Sequence, residues 1–238
     1  MDLNKLLEHH HRQVNRKAWR DLQHFSSSLS ENGQLKSVSA PVSPHLQVTA
    51  LCHRSLVKDG PALLFEKPRG FDMPVLGNLF GNQQRILAAL ELQSRKDLLA
   101  LGRDLAFLRN PSLPDSRQSM LDVAPGFARL AHITPKLKDK APWQENHVEG
   151  PDVDLGKLPI SQCWPDDAGP LITWGMVITR GPDKPRVNLA IYRLQVIGKN
   201  KLIMRWLPHR GGAQDFREFQ QASPGPVSYT HLTLPTTC

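Results

Sequence analysis

A chain of 238 residues can form one large domain or two small ones, and a hydrophobic fraction of 39% is enough to build a buried core. The net charge of +8 is compatible with a polyanionic partner, but the basic residues are scattered and accompany no nucleic-acid-binding motif, so we predict no nucleic acid partner. No stretch approaches the roughly 18–20 apolar residues of a membrane helix, and the first residues lack an apolar signal core, which indicates a cytoplasmic protein. Cys52, Cys163 and Cys238 form no CxxC pair, so reduced thiols are expected rather than disulfides or a zinc site.

Residues 1–33 are predicted to form a helical extension. Apolar residues recur there at helical spacing, and Asn32 and Gly33 provide the stop signal. The triplet His9–His11 could indicate a metal site, but consecutive helical residues point about 100° apart and cannot converge on one ion. A solvated helix face is therefore the preferred interpretation.

Residues 34–110 are predicted to form an α/β domain, because helical and strand patterns alternate along them. A helix is expected from about Pro44 to Gly60, and "ALLFE" and "MPVLGNLF" are predicted to be short buried strands. The segment from Asn82 to Arg109 has a helical pattern, with a break predicted near Gly102.

Residues 111–165 hold many prolines and few periodic runs, so they are predicted to form a long connection that contains the domain boundary. Residues 166–225 are rich in strand patterns. Leu171–Thr179 is β-branched and aromatic, and "RVNLAIYRLQVIG" and "KLIMRWL" follow, joined by a tight hairpin at residues 198–200. Three consecutive strands predict an antiparallel meander, the core of a small barrel, and Gly211 and Gly212 then lead into a helix.

The predicted hairpin collects polar side chains whose chemistry suits an anionic ligand. An arginine fork binds phosphate or carboxylate, an asparagine oxygen is a hard ligand for magnesium or manganese, and the glycines of "HRGG" let backbone N–H groups approach an anion. Ordinary polar residues on the solvated face of a sheet are the alternative. The residues alone thus predict a small barrel for a planar ligand that carries a phosphate, with or without a metal. The residues of this predicted neighbourhood are Asn188, Arg193, Arg205, His209 and Arg210.

The sequence from Gln34 to Gly225 resembles the UbiD family. The blocks "CWP", "PLITWG", "TRGP", "IYR", "MRWL" and "HRGG" follow the family pattern in order, and "GPALLFEKPRGFDMPVLGNLFG" is similar to its N-terminal domain. The resemblance is strongest to the members that decarboxylate 3-polyprenyl-4-hydroxybenzoate in ubiquinone biosynthesis. It implies an α+β fold, with an N-terminal α/β domain followed by the first, incomplete part of an FMN-binding split β-barrel.

The resemblance also implies a cofactor and site residues. The cofactor would be prenylated FMN, with Mn²⁺ (or Mg²⁺) held by Asn188, and Arg193 would be the catalytic residue that holds the substrate carboxylate. His209 would support the metal or the phosphate. The implied partners are an aromatic acid with a polyprenyl tail, a second copy of the chain, and transiently the inner membrane face. The implied cofactor contacts are Ile191, Tyr192, Arg193, Arg205, Trp206, Leu207, Arg210 and Gly211.

Some positions depart from the family pattern. Ala190 replaces the glycine of the usual "NLGIYR", and Cys52 stands where a small residue is common. The glutamate that serves as the second metal ligand and the acidic proton donor are expected beyond Gly225, so the isolated chain is predicted to be inactive. Residues 226–238 are predicted to be a non-native tail, because "VSYTHLTLPT" resembles the in-frame translation of a transposase-type sequencing-library adapter.

Other functional classes stay open at the level of the sequence. An FMN-dependent reductase on a split barrel would require a nicotinamide, and a non-enzymatic basic binding module would show nucleic acid affinity that falls steeply with salt. A decarboxylase of another aromatic acid is a third alternative, because the UbiD family includes such enzymes.

Overall fold

The computed structural model of this protein describes residues 19–109, 145–185, 187–222 and 231–233. The predicted helix within residues 1–18 and most of the predicted connection at 111–165 lie outside these ranges. The chain divides into two compact units, one formed by Met1–Asp21 with Asn82–Glu145 and the other by Leu22–Gly81 with Asn146–Cys238. None of the described helices is long and apolar enough to cross a membrane.

The first sheet has three strands and forms the N-terminal part of the larger unit. Helix α1 (Leu22–Glu31) leads to β1 (Leu35–Val38), and helix α2 (Gln47–Val57) then crosses over to β2 (Ala62–Phe65), which is followed by β3 (Val75–Gly77). Strands β1 and β2 are parallel, and β3 is antiparallel to β2, so β2 is central. The predicted strands β2 and β3 are confirmed. Strand β1 was not predicted, because a run of four residues with two exposed polar positions carries little strand signal.

Helix α2 begins at Gln47 rather than at the predicted Pro44. Val42 forms a bridge to Pro68, and His45 forms a bridge to Gln162, so residues 42–45 are used in pairing instead of a helical turn. Leu46 then adopts a left-handed conformation with φ 65°, which places the helix start after it.

In the smaller unit, the predicted helix break near Gly102 is wrong. The segment forms α3 (Gln83–Ala89) and α4 (Arg95–Arg109), and Gly102 lies inside α4. The break falls at Glu91, which has a positive φ of 54°. Ser94 and Asp97 then start α4 with reciprocal caps, because Ser94 N donates to Asp97 Oδ2 at 2.9 Å and Asp97 N donates to Ser94 Oγ at 3.3 Å.

The second sheet contains the predicted antiparallel meander, which is confirmed. Strand β4 (Leu171–Thr179) pairs with β5 (Asn188–Gly198), and β5 pairs with β6 (Lys201–Met204) across a two-residue turn. Helix α5 (Gly211–Ala222) packs on β4 and β5. A short strand β7 (His231–Thr233) pairs with the free edge of β4 and lies within residues 226–238, the predicted non-native tail.

The two faces of the second sheet differ in burial. One face packs under α5 and is built from Ile172, Val177, Tyr192 and Leu194, against which Met204 and Trp206 pack. On the opposite face, which we call the open face, apolar side chains are exposed in the described structure. Because side chains alternate along a strand, every second residue of β5 points to the open face. The exposed apolar residues of the open face include Met176, Leu189, Ile191, Ile197 and Ile203.

Candidate cofactor and substrate site

Asn188, the predicted metal ligand, lies at the first position of β5 and directly opposite Thr179 at the end of β4. Its Nδ2 donates a hydrogen bond to Thr179 Oγ1 at 3.0 Å, and Thr179 Oγ1 donates to Asp215 Oδ2 at 2.7 Å. The amide oxygen of Asn188 lies against Gly211, the first residue of α5, where a Cβ atom would come within 2.9 Å of Asn188 Cγ. A residue with a side chain at position 211 would therefore collide with the Asn188 amide.

An aromatic cluster fixes the N-terminus of α5 on the sheet. Tyr192 is 4% exposed, and its hydroxyl accepts a hydrogen bond from Gly212 N at 2.8 Å. The Tyr192 ring makes an edge contact with Trp206 at 5.3 Å, and Trp206 stacks on Phe216 of α5 at 5.7 Å between centroids. A Cβ atom on Gly212 would lie 2.5 Å from Tyr192 Oη, so glycine is required for this close approach.

The residues before α5 place positive charge at its N-terminus. Leu207–Arg210 forms a turn in which Arg210 N donates to Leu207 O at 2.9 Å, and His209 and Arg210 are exposed. The first N–H groups of a helix lack intrahelical acceptors and carry partial positive charge, which favours an anion there. Gly212 N is buried and already donates to Tyr192 Oη, so it is the partial positive charge of this helix end, together with the exposed Arg210, that suits a phosphate.

Arg193, the predicted catalytic residue, lies on the open face with Ile191. Arg205 N donates to Arg193 O at 3.0 Å, so the two arginines are adjacent across the β5–β6 pair, and both are exposed. Among the described residues neither guanidinium forms an ion pair. Two arginines beside exposed apolar side chains can bind a carboxylate that is attached to an apolar body.

The structure thus separates the predicted neighbourhood into two faces. Asn188, Tyr192, Trp206 and Gly211 lie on the side of the sheet covered by α5, whereas Ile191, Arg193 and Arg205 belong to the open face. The separation follows from strand alternation, because positions 188 and 193 differ by an odd number of residues. The methyl group of Ala190, the departure from the family glycine, packs against the core under α5.

Sequence reasoning missed three residues that shape this site. They share no chemical motif, because they act through register and packing rather than through a ligand pattern. The threonine of "TRGP" was the only available signal. The missed residues are Thr179, Asp215 and Phe216.

The donor set is consistent with one ligand position for a divalent metal and with a phosphate. Asn188 supplies a single hard oxygen next to the α5 N-terminus, where a cofactor phosphate could share the ion. Within the described ranges no group of three or more His, Cys, Asp or Glu side chains could hold a metal ion. Asn188 therefore fits as one ligand of a site that needs others.

Two family models match the chain. The N-terminal domain of 3-octaprenyl-4-hydroxybenzoate carboxy-lyase matches residues 26–105, and the Rift-related domain of the same carboxy-lyase matches residues 135–232. Together they match about three quarters of the chain. The chain therefore belongs to the UbiD family, and the resemblance predicted from its motifs is confirmed at that level. The second match ends inside residues 226–238, so the foreign origin of this segment stays a prediction.

Solved UbiD-class structures share the fold. HmfF from Pelotomaculum thermopropionicum in complex with FMN is 29% identical, with a TM-score of 0.67 over 84% of this chain and 40% of that protein. An evolved dimeric form of HmfF in complex with prFMN is also 29% identical, with a TM-score of 0.68 over 85% of this chain and 42% of that protein. Vanillic acid decarboxylase from Sedimentibacter hydroxybenzoicus in its closed form is 25% identical, with a TM-score of 0.66 over 87% and 40%.

These comparisons confirm the predicted mixed α/β fold. The chain spans about 40% of the length of the solved proteins that it matches.

Proposed function

We propose that this chain carries the cofactor-binding part of a decarboxylase that acts on a 3-polyprenyl-4-hydroxybenzoate in ubiquinone biosynthesis. The cofactor is prenylated FMN with Mn²⁺ or Mg²⁺. The observation that carries the proposal is the placement of Arg193 and Arg205 beside Ile191 on the open face, with the Asn188 amide oxygen against the N-terminus of α5 behind it. The family match and the FMN and prFMN complexes of HmfF support this assignment.

The residues divide between holding the cofactor and holding the substrate. Asn188 Oδ1 provides one metal ligand, and the positive end of α5 together with Arg210 binds the phosphate. Tyr192 and Trp206 act mainly by fixing α5 in place. The remaining cofactor contacts in the proposal are Ile191, Arg193, Arg205, Leu207 and Gly211.

The proposed reaction needs both an electron sink and a fixed carboxylate. Loss of carbon dioxide from an aromatic acid leaves an electron pair on the ring carbon, and the bound cofactor supplies the acceptor for it. Arg193 holds the substrate carboxylate through a forked pair of hydrogen bonds, so the bond to be broken is oriented before it breaks. A glutamate ligand and an acidic proton donor come, in this proposal, from chain beyond Gly225, and residues 1–238 alone are therefore inactive.

The exposed apolar residues of the open face fit the rest of the substrate. Met176 and Ile191 are directly opposite each other, and Leu189 is 61% exposed two positions away. An aromatic ring with a polyprenyl tail gains free energy when it covers such side chains. A cytoplasmic enzyme with this substrate would meet it at the inner membrane face, and we propose that the active form is a homo-oligomer.

The test compares variants of the longest chain that the source DNA encodes, loaded with prenylated FMN and Mn²⁺. Carbon dioxide release from a 3-polyprenyl-4-hydroxybenzoate is measured alongside bound flavin absorbance. Arg193→Ala should keep the flavin and lose about 100-fold or more in kcat, since it removes a charged donor to the reacting group. Asn188→Ala should lose metal and flavin together, and Arg54→Ala, at an exposed position of α2, should match the wild type.

Several outcomes would overturn parts of the proposal. Wild-type rates in both site variants would reject the site assignment. Faster turnover of vanillate or another benzoate without a tail would reject the polyprenyl substrate. Flavin reduction by a nicotinamide without carbon dioxide release would favour a reductase.

A further inference from the structure

We infer that Thr179 and Asp215 are positioning residues that orient the Asn188 amide so that its oxygen faces the N-terminus of α5. The inference rests on the proposed function, because it gives that oxygen its role as a metal ligand. None of the motifs in the sequence analysis assigned a role to either residue.

The three residues form one continuous hydrogen-bonded chain. Asn188 Nδ2 donates to Thr179 Oγ1 at 3.0 Å, and Thr179 Oγ1 donates to Asp215 Oδ2 at 2.7 Å. Thr179 is 7% exposed and Asp215 is 2% exposed, so water does not compete for the bond between them, whereas the Asn188–Thr179 bond is half-buried. The chain crosses from β5 to β4 and then to α5, which ties the three elements together.

The direction of each bond follows from the number of protons available. Thr179 Oγ1 donates to Asp215 Oδ2, and a threonine hydroxyl has a single proton to donate. Because Thr179 gives its proton to Asp215, it can only accept from Asn188, whose amide nitrogen is the sole side-chain donor there. The opposite rotation of the Asn188 amide would place two oxygens against each other with no proton between them.

This polarity leaves the Asn188 oxygen on the side of Gly211. A Cβ atom at position 211 would collide with that oxygen, so the amide oxygen occupies the space that a side chain would fill at the first residue of α5. The helix N-terminus is where a phosphate is expected, and a metal shared with that phosphate needs the amide oxygen and not the amide nitrogen. Thr179 and Asp215 therefore determine that the oxygen of the Asn188 amide, and not its nitrogen, faces the proposed metal.

Residue 215 has to accept the Thr179 proton for the Asn188 amide to be oriented in this way. An asparagine there could either donate or accept, so the direction of the bonds would no longer be fixed. A buried carboxylate also costs free energy unless it is hydrogen-bonded, and a purely structural tie between β4 and α5 would not need one. Asp215→Asn therefore distinguishes a role in orienting the Asn188 amide from a role in packing α5 on β4.

The first test examines the hydrogen-bonded chain Asn188–Thr179–Asp215, which we call the relay, in the absence of metal. Hydrogen exchange of the Asn188 side-chain amide is measured by NMR in the 238-residue chain, with the exposed turn residue Asn200 as the reference. We expect exchange at Asn188 to be at least about tenfold slower than at Asn200, and Thr179→Val to remove most of the difference. Equal exchange of the two amides in the wild type would overturn the relay.

The second test measures whether the orientation of the Asn188 amide oxygen affects Mn²⁺ binding. Mn²⁺ affinity in the presence of FMN is determined from the EPR signal of free Mn²⁺, using the chain with the longest encoded C-terminus. Thr179→Val and Asp215→Asn should each weaken Mn²⁺ binding about 10–100-fold, as changes to residues behind a metal ligand do. Thr179→Ser keeps the hydroxyl and should restore affinity, and Thr173→Val on the exposed part of β4 is the matched control.

The outcomes separate the inference from the proposed function. If the wild type shows a protected Asn188 amide but binds no Mn²⁺ with FMN, the metal site of the proposed function fails and the role of the relay in presenting a ligand fails with it. If the wild type binds Mn²⁺ and the folded Thr179→Val and Asp215→Asn proteins bind it equally well, the relay is only a structural tie. Loss of affinity in Thr179→Val that Thr179→Ser does not restore would also overturn the inference.

Discussion

The central strands of the two sheets face different environments. Strand β2 of the first sheet is buried along most of its length, with Ala62 and Phe65 fully buried and Leu63 at 9% exposure. Strand β5 of the second sheet alternates, with Tyr192 and Leu194 buried and Leu189, Ile191 and Ile197 more than half exposed. β2 is entirely apolar, whereas β5 also contains Asn188, Arg193 and Gln195.

The difference shows where the molecule has room for a ligand. In the first sheet, α2 and the loop residue Val42 cover the strands, and the core there includes no residue of the proposed site. In the second sheet α5 covers one face, and the described structure leaves the other face without a layer of its own. The residues proposed to bind the cofactor and substrate all lie in or next to this second sheet, whose open face is exposed in the described structure.

The largest expected effect contrasts the two faces of β5. Leu194→Ala should lower the free energy of unfolding by about 2–5 kcal/mol, because Leu194 is 1% exposed and its loss leaves a cavity. Leu189→Ala, on the open face, should change it by less than about 0.5 kcal/mol. Urea denaturation followed by circular dichroism measures both. Similar losses in the two variants would mean that the open face is covered in solution, for example by a second copy of the chain.

A smaller effect is expected where α5 meets β5. Gly212→Ala should cost about 1–3 kcal/mol, because its Cβ would lie 2.5 Å from Tyr192 Oη and 2.7 Å from the Trp206 ring. Gly102→Ala is the matched control, since no atom lies within 4 Å of the new Cβ and alanine is favoured by up to about 1 kcal/mol in a helix interior. Thermal melting of both variants tests the contrast. A neutral Gly212→Ala would show that α5 can move away from the sheet.

The strands of the second sheet could be predicted because their signals are local. Leu171–Thr179 was predicted with the bounds that the structure shows, since β-branched residues and the glycine after Arg180 mark it. The helix break was misplaced because Gly102 is a stronger local signal than Glu91. The local pattern did not reveal that Glu91 adopts a left-handed conformation and that Ser94 and Asp97 start a new helix.

The site was predicted only in part because register is not local. Alternation along β5 already implies that Asn188 and Arg193 face opposite ways. The pairing of Thr179 with Asn188, however, depends on the irregularity between Ile172 and Gly175 and on how the loop after β4 closes. Asp215 joins them only after α5 has packed on the sheet. Three residues separated by up to 36 positions thus form one hydrogen-bonded chain that no sequence pattern reveals.

The smallest expected effect lies in the covered region, at Cys52 on α2. Burial raises the pKa of this thiol from 9.0 to about 11, and a nearby charge at Cys163 adds to the shift. In the unfolded chain the thiol loses its proton from about pH 9 upward, whereas in the folded protein it stays neutral until about pH 11. The folded state therefore loses stability relative to the unfolded state as pH rises through this interval.

Melting temperature measured between pH 8 and pH 11 tests this expectation on Cys52→Ala and the wild type. The wild type should lose more of its melting temperature over this interval than the variant, because only the wild type has the thiol whose proton is retained on folding. Parallel curves would show that water reaches Cys52 in the folded protein. In that case the N-terminal sheet would be less completely covered than its buried central strand indicates. The first sheet and the open face of β5 would then differ less in solvent exposure than the structure shows.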